Sequence, residues 1–264
     1  MTQQPDILCI GSVLWDVIGR AASHMRVGSD VPGRIRRLPG GVAMNIAMTL
    51  HGFGMRPALL SAIGRDAEGE ELVTEAQRMG LICDHLYRSD DLPTDVYMAI
   101  EGANGLVAAI ADAHSLEAAG EKILQALRDG TLGSAEVPFD GPVALDGNLT
   151  EELLQTIGTS PLFAKADLRV APASPGKAAR LLALMGHPTA TLYVNLEEAG
   201  LLCQTEFATS YDGAAGLVAR GAHRVLVPAR ATAAAAATNR ATLKPTPPPL
   251  HVHLRTRARH HALH

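Results

Sequence analysis

Short apolar runs alternate along the first 227 residues with stretches whose apolar positions recur at helical spacing. The runs predict buried strands over 7–13, 58–64, 142–146, 168–171, 191–195 and 224–227. The helical spacing predicts helices over 43–53, 68–79, 116–127, 150–157, 176–185 and 213–220. Since strands that alternate with helices imply crossover connections, the pattern predicts an α/β fold with a mainly parallel sheet.

Two segments depart from this alternation. Residues 18–39 are polar and interrupted by Gly and Pro, which predicts short exposed strands and turns. Residues 94–112 alternate in a strand-like way around Gly102-Ala-Asn-Gly105, which predicts a hairpin.

Composition divides the chain near residue 228. Residues 1–227 carry all the Asp and Glu and a net charge of −10, whereas residues 228–264 contain no Asp, Glu or Gly and carry +6. We therefore expect one α/β domain over 1–227 and an atypical tail over 228–264. The tail has an alanine run at 233–237 and the segment Pro245-Thr-Pro-Pro-Pro249. We expect poor order there, apart from at most a short helix in the alanine run.

Charge, cysteines and hydropathy exclude several classes of protein. The net charge of −4 gives no argument for a nucleic-acid partner, and no apolar run approaches the roughly 20 residues of a membrane helix. Cys9, Cys83 and Cys203 are widely spaced, which favours reduced thiols and a cytoplasmic protein over a disulfide or metal site. The tail histidines, such as His251 and His253, favour adventitious chelation over a built site.

Three groups of residues could carry chemistry. In Gly40-Gly-Val-Ala-Met-Asn45, glycines allow close approach of a ligand, the following helix offers free N–H groups, and the Asn side chain both donates and accepts hydrogen bonds. Asp16 follows the first strand. Asn195 and Glu198 share one face of a starting helix and suit the orientation of water around Mg²⁺. Taken singly, each also fits an ordinary turn or helix cap.

Taken in order, these residues resemble the signature of the PfkB family of carbohydrate kinases. The resemblance rests on Gly40-Gly-x-x-x-Asn45-x-Ala47-x-x-Leu50, on Ser61-Ala-Ile-Gly-Arg-Asp66-x-x-Gly69, on Asp16 after the first strand, and on Asn195-x-x-Glu198. Within the family, segments 29–35, 109–112 and 146–148 are most similar to the kinases that act on pseudouridine.

The resemblance implies a ribokinase-like three-layer α/β/α fold with a small β-lid formed by about 12–39 and 94–112. It implies ATP-dependent phosphorylation of a sugar or nucleoside hydroxyl, with Mg²⁺ and in some members a monovalent cation. Asp16, Gly40, Gly41 and Asn45 would bind the substrate. Asn195 and Glu198 would organise magnesium and phosphate without ligating the metal directly, and the lid would mediate a homodimer.

The chain departs from the family after Val227. The family carries a second signature, Gly-Ala-Gly-Asp, whose Asp is the catalytic base, and this motif is absent from the sequence. Three explanations stay open, in this order: a reading-frame change near residue 228, a natural pseudokinase, and a base recruited from elsewhere, with Asp112 or Asp146 as remote candidates. The sequence therefore leaves two functions open. The chain is either an active kinase or a protein that binds a sugar or nucleoside without turnover.

Overall fold

The computed structural model describes residues 4–228, 234–238 and 241–243. In chain order the strands are β1 Ile7–Ile10, β2 Leu14–Arg20, β3 Arg34–Gly40, β4 Pro57–Leu60, β5 Ala62–Gly64, β6 Tyr87–Ser89, β7 Val96–Gly102, β8 Gly105–Asp112, β9 Pro142–Asp146, β10 Asp167–Ala171, β11 Thr191–Tyr193, β12 Arg224–Pro228, β13 Ala234–Thr238 and β14 Ala241–Leu243. The α-helices are α1 Val42–Gly52, α2 Ala67–Arg78, α3 His114–Ala119, α4 Glu151–Thr159, α5 Leu196–Cys203 and α6 Ser210–Ala219. 3₁₀ helices cover Gly120–Leu127, Pro161–Phe163 and Pro175–Leu184.

The main sheet confirms the predicted α/β class. Its strand order is β14-β13-β12-β11-β10-β9-β1-β4, and every pairing from β12 to β4 is parallel. Because these parallel strands point the same way, their carboxyl ends meet along one edge, which we call the strand-end edge. Ligands of open α/β sheets bind beyond such an edge.

Helices pack on both faces of this sheet. On one face, α4, α5 and α6 bury Leu154, Leu202 and Leu217 against inward-pointing strand residues such as Leu168 and Leu192. On the other face, α1 and α2 pack against β1 and β4. Each buried leucine contributes roughly 1.5–3 kcal/mol of transfer free energy, so these apolar contacts hold the three layers together.

The second face is left partly uncovered over β10, β11 and β12. Its residues are the row Arg169–Thr191–Arg224 and, two positions further along each strand, Ala171 and the pair Tyr193–Leu226. All except Thr191 are half-buried, whereas Leu168, Leu192 and Val225 on the opposite face are buried. Parallel sheets are ordinarily covered on both faces. Within the described residues, the helix α1 reaches β1, β4 and β9 on this face but not these three strands.

The polar side chains on the uncovered part bind one another. Arg224 donates to Asp167 at 2.7 Å, and Arg169 donates to the Tyr193 hydroxyl at 2.9 Å and also pairs with Asp167. Thr191 Oγ1 and Arg224 Nε are nevertheless enclosed without a partner among the described residues.

A second sheet, with strand order β3-β2-β7-β8, forms from the segments expected to build a lid. Strands β7 and β8 are the predicted hairpin around Gly102–Gly105. The register places Asp16 opposite Leu38 on β3 and opposite Tyr97 on β7. Directly opposed residues point to the same side, so these three side chains share one face of the second sheet.

Three sequence-based expectations differ from the structure. The alanine run is not a helix, because Ala234–Thr238 pairs antiparallel with β12, whose edge offers unsatisfied backbone donors and acceptors. The helix expected over 116–127 is α only to Ala119 and 3₁₀ afterwards, with Gly120 at φ 51°, and the helix expected over 176–185 is 3₁₀. The tail histidines, including His251 and His253, lie outside the described residues.

The uncovered face predicts unequal responses to two matched truncations. Leu192→Ala removes a buried side chain under the helices and should lower the free energy of unfolding by about 2–5 kcal/mol. Leu226→Ala removes a half-buried side chain from the next strand and should cost about 1 kcal/mol or less. Urea unfolding followed by circular dichroism measures both, and equal losses would contradict an uncovered face.

Candidate active site at the strand-end edge

The loop after β1 and the start of α1 are built against each other. Gly41, at φ 93°, precedes the helix, and a side chain there would overlap the backbone of Ser12. The amide of Val42 donates to Ser12 Oγ at 2.8 Å, and the amide of Met44 donates to the Ser12 carbonyl at 3.3 Å. Only glycine combines this dihedral angle with such close approach of two chain segments.

Asp146, the last residue of β9, ties three elements together. Its Oδ2 accepts from Ser12 N at 2.7 Å, Ser12 Oγ at 2.9 Å and Ala43 N at 3.1 Å, and its Oδ1 accepts from Asn148 N at 2.6 Å. The side chain has no exposed surface. Burial raises the pKa of this carboxyl, while the four donors oppose that shift. The start of α1 thereby binds a carboxylate of the protein itself.

This arrangement corrects two expectations. The first-turn N–H groups of α1 are not free for a ligand, because Ser12 and Asp146 accept hydrogen bonds from Val42, Ala43 and Met44. Asp146 is also excluded as a recruited catalytic base, since a fully enclosed carboxyl cannot contact a substrate hydroxyl. Asp112, the other candidate, is exposed at the end of β8 and pairs with His114 at 2.8 Å.

Asp16 lies beside this loop with its carboxylate available. The side chain is half-buried against Gly40, where any Cβ would overlap the carboxyl group. Burial raises the pKa of the Asp16 carboxyl. Within the described ranges, its oxygens accept no hydrogen bond, and they are not among the enclosed atoms that lack a partner, so they reach the surface. Asp16 therefore presents an accessible acceptor next to Gly40.

Asn45 is one helical turn into α1. Its amide donates to the Gly41 carbonyl at 2.8 Å, and its side chain is exposed. The structure thus brings Asp16, Gly40 and Gly41 together, with the exposed side-chain amide of Asn45 one turn away.

Asn195 and Glu198 lie at the carboxyl end of β11 and form a capping box. Glu198 N donates to Asn195 Oδ1 at 2.9 Å, and Asn195 N donates to Glu198 Oε2 at 2.8 Å. The structure therefore shows the ordinary helix cap that the sequence also allowed for these two residues. Burial raises the pKa of the Glu198 carboxyl, and the hydrogen bond from Asn195 opposes it. Within the described part of the chain, Glu198 Oε1 accepts no hydrogen bond, which leaves one carboxylate oxygen for water in a magnesium shell.

The candidate site has two halves, one around Asp16 and Gly41 and the other at Asn195 and Glu198, and two strands separate them. Since β10 and β9 lie between β11 and β1 and strands are about 4.8 Å apart, Asn195 is roughly 14 Å from the loop after β1. Sequence reasoning did not single out Ser12 or Lys177, which lie along this edge. A Ser directly after the first strand and a Lys after Pro175-Gly176 carry no motif, so only the contacts reveal them.

A groove opens beside Asn195. It has a volume of about 1080 Å³ and is lined by α5, the loop before α6, and Pro228 at the end of β12. Leu196, Leu201 and Phe207 supply apolar walls, and Thr209 and Ser210 supply hydroxyl groups. Apolar walls with a few polar groups suit a planar, partly polar ligand.

Two other kinds of functional feature, a metal-binding group and a membrane-spanning helix, are absent from the described residues. They contain no group of three or more His, Cys, Asp or Glu that could hold a metal ion, and none of their helices has the length and apolarity that crossing a bilayer requires.

The fold and site define a class of protein, an α/β protein with a lid sheet over the strand-end edge, as in small-molecule kinases. Comparisons agree with this class. The model of the pfkB family of carbohydrate kinases matches residues 4–252, and the chain belongs to that family. The match continues beyond Val227, although Gly-Ala-Gly-Asp is absent from the sequence.

Known relatives match part of the chain. An uncharacterized sugar kinase, YeiI, from Escherichia coli (strain K12) is 33% identical over 160 residues, which cover 60% of this chain and 42% of that protein. A pseudouridine kinase from the same organism is 36% identical over 84 residues, covering 32% of this chain and 27% of that protein. The chain therefore matches less than half the length of either relative.

Solved structures confirm the ribokinase-like fold. A carbohydrate kinase from Agrobacterium tumefaciens superposes with a TM-score of 0.72 at 26% identity, over 88% of this chain and 72% of that one. A ribokinase from Arabidopsis thaliana, complexed with ribose and ATP, gives a TM-score of 0.71 at 15% identity, over 91% and 77%. The second likeness concerns the fold alone.

The contacts of Asp146 predict a large loss of stability on its removal. Asp146→Ala leaves four donors without an acceptor and should lower the free energy of unfolding by about 3 kcal/mol or more. Asp140→Ala is the matched control, because Asp140 is exposed just before the same strand and should change stability by less than about 0.5 kcal/mol. Chemical unfolding of both variants measures the difference, and similar values would contradict the anchoring role.

Proposed function

We propose that this chain is an ATP-dependent kinase of the pfkB family that acts on a sugar or nucleoside hydroxyl, with pseudouridine as the first candidate substrate. The observation that carries the proposal is the half-buried Asp16 carboxylate, which packs against Gly40 and has no donor among the described residues. A polyol hydroxyl would donate to it. Gly41 permits close approach at the same loop, and Asn45 offers both a donor and an acceptor.

The nucleotide half of the proposal rests on β11 and the groove beside it. ATP would lie with its base between Leu196, Leu201 and Phe207 and its phosphates toward Asn195. Glu198 Oε1 would hold water of a magnesium shell, and Mg²⁺ when bound would offset phosphate charge. Lid closure over the substrate would exclude water from the transferring group.

A second candidate function is binding of the same substrate without turnover. It is favoured by the absence of Gly-Ala-Gly-Asp from the sequence, since that motif supplies the base in the family. The two candidates share the substrate side of the site and differ only in phosphoryl transfer.

Substitution of Asp16 tests the shared part of the proposal. Asp16→Asn removes the charged acceptor and should weaken nucleoside binding about ten- to hundredfold, because hydrogen bonds to charged groups contribute about 1.5–3 kcal/mol. Calorimetric titration with pseudouridine, ribose, adenosine and fructose measures this effect. Asp140→Asn, at an exposed site away from the lid, is the control and should leave affinity unchanged.

Magnesium-dependent ADP release in the presence of each sugar or nucleoside separates the two functions. Substrate-dependent release that disappears in Asp16→Asn supports the kinase. Binding without release supports the non-catalytic alternative. If no tested sugar or nucleoside binds, or if Asp16→Asn binds as the unmodified chain does, the proposed substrate site is wrong.

We also propose that the chain forms a homodimer through the lid sheet. On the face of that sheet opposite to Asp16, the register aligns Ile35, Met98, Ile100 and Ile110. All four are exposed, and Ile35 and Ile110 are 79% and 70% accessible. A contiguous apolar patch of this kind is typical of a surface that another chain covers.

The dimer is tested by charge insertion. Ile110→Glu places a carboxylate in the apolar patch and should convert a dimer to a monomer, because burial of an unpaired charge is costly. Sedimentation equilibrium measures the mass. Val137→Glu introduces the same charge at an equally exposed apolar residue outside the lid and should leave the dimer intact. A monomeric unmodified chain, or a dimeric Ile110→Glu, would contradict the proposal.

A cytoplasmic location is part of the same proposal. It is supported by three free cysteines, two of them buried, with the pKa of both Cys9 and Cys83 raised to about 12 by burial. Such thiols are poor nucleophiles and suit a reducing compartment.

A further inference from the structure

We infer that Lys177 is an anion-binding residue of the site, which binds the nucleotide phosphates where they extend from Asn195 toward Asp16. This inference rests on the proposed function, because it assigns a place to the transferring phosphate. It begins from the position of Lys177 in the fold. The residue is the sixth after the end of β10 and the third of the 3₁₀ helix Pro175–Leu184.

The strand order places Lys177 between the substrate half and the nucleotide half. Along the strand-end edge, Asn195 follows β11, Lys177 follows β10, Asn148 follows β9 and Ser12 follows β1. For in-line transfer to a hydroxyl near Asp16, the phosphate chain of a nucleotide near Asn195 would have to extend across the ends of β10 and β9. Lys177 is therefore at the crossing point.

The ammonium group is held in that position by a short chain of hydrogen bonds. Lys177 Nζ donates to Asn148 Oδ1 at 2.5 Å, and Asn148 Nδ2 donates to Ser12 Oγ at 2.9 Å. Ser12 Oγ in turn accepts from Val42 N at the start of α1. The amine is thus oriented through the loop after β1, which contacts the start of α1.

The charge of Lys177 is not neutralised by a carboxylate of the described residues. The neighbouring cation, Arg180, is used differently: it pairs with Glu117 at 2.8 Å and donates to the carbonyls of Asn148 and Leu149. Lys177 is half-buried and has a neutral partner, so its charge stays available. Lysine at such a position binds phosphate as a point charge.

Two substitutions and a matched control test the assignment. Calorimetric titrations of the whole chain use sodium tripolyphosphate as the anion and pseudouridine as the uncharged ligand. Lys177→Met should weaken tripolyphosphate binding about tenfold or more, while Lys177→Arg, which keeps the charge, should remain within about threefold of the unmodified chain. Lys165→Met removes an exposed lysine just before β10, at the opposite edge of the sheet, and should change neither affinity.

The pseudouridine titration and thermal unfolding separate anion binding from a structural role. If Lys177 binds phosphate, Lys177→Met keeps its pseudouridine affinity and melting temperature. Loss of both affinities together with a lower melting temperature would show that Lys177 only supports Asn148, and would overturn the inference. An unmodified chain that does not bind tripolyphosphate, or a Lys177→Met variant that binds it equally well, would also overturn it.

The same titrations distinguish failure of the inference from failure of the proposed function. Tripolyphosphate binding that depends on Lys177, without binding of pseudouridine, supports the anion site and contradicts the proposed substrate. Pseudouridine binding without any effect of Lys177→Met on tripolyphosphate does the reverse.

Discussion

The buried carboxylate of Asp146 is the contact on which the candidate site depends. It is the meeting point of β1, β9 and α1, and each of its four hydrogen bonds comes from a different donor group on Ser12, Ala43 or Asn148. An unpaired charge in this position would be strongly destabilising, so the donors and the carboxylate require one another. This contact docks the start of α1 onto the loop after β1, and the preceding Gly40 packs against the Asp16 carboxyl group.

The remaining parts of the site are organised around that anchor. The hydrogen bonds of Ser12 extend it through Asn148 to Lys177, so a continuous polar chain runs across the ends of β1, β9 and β10. Asn195 and Glu198, one strand further, are instead ordered by their own capping box. The proposed substrate half is therefore fixed by tertiary contacts, whereas the proposed nucleotide half is fixed by a local helix start.

The two faces of the main sheet show what the described chain contains of the family fold. One face is buried under helices from β9 to β12, while the other carries half-buried Arg169, Tyr193 and Arg224. Two other observations agree with this imbalance. The chain covers 72% of the Agrobacterium tumefaciens kinase, and its sequence lacks the Gly-Ala-Gly-Asp motif. The residues proposed to bind substrate lie on β2 and at the start of α1 rather than on β10, β11 and β12, so the proposed substrate binding can be tested separately from phosphoryl transfer.

The α/β class and most strands and helices could be predicted from the sequence, and the resemblance to the family predicted Asp16, Gly41 and Asn45 as substrate-binding residues, a role that stays a prediction. These features are local: apolar periodicity sets each element, and a glycine pair before a helix is readable from neighbours in the chain. The tertiary structure alone decided that Asp146 occupies the start of α1, that Lys177 lies between the two halves, and that the alanine run becomes strand β13. Each of these depends on contacts between distant segments, such as the 134-residue separation of Ser12 and Asp146, and no local pattern encodes such a pairing.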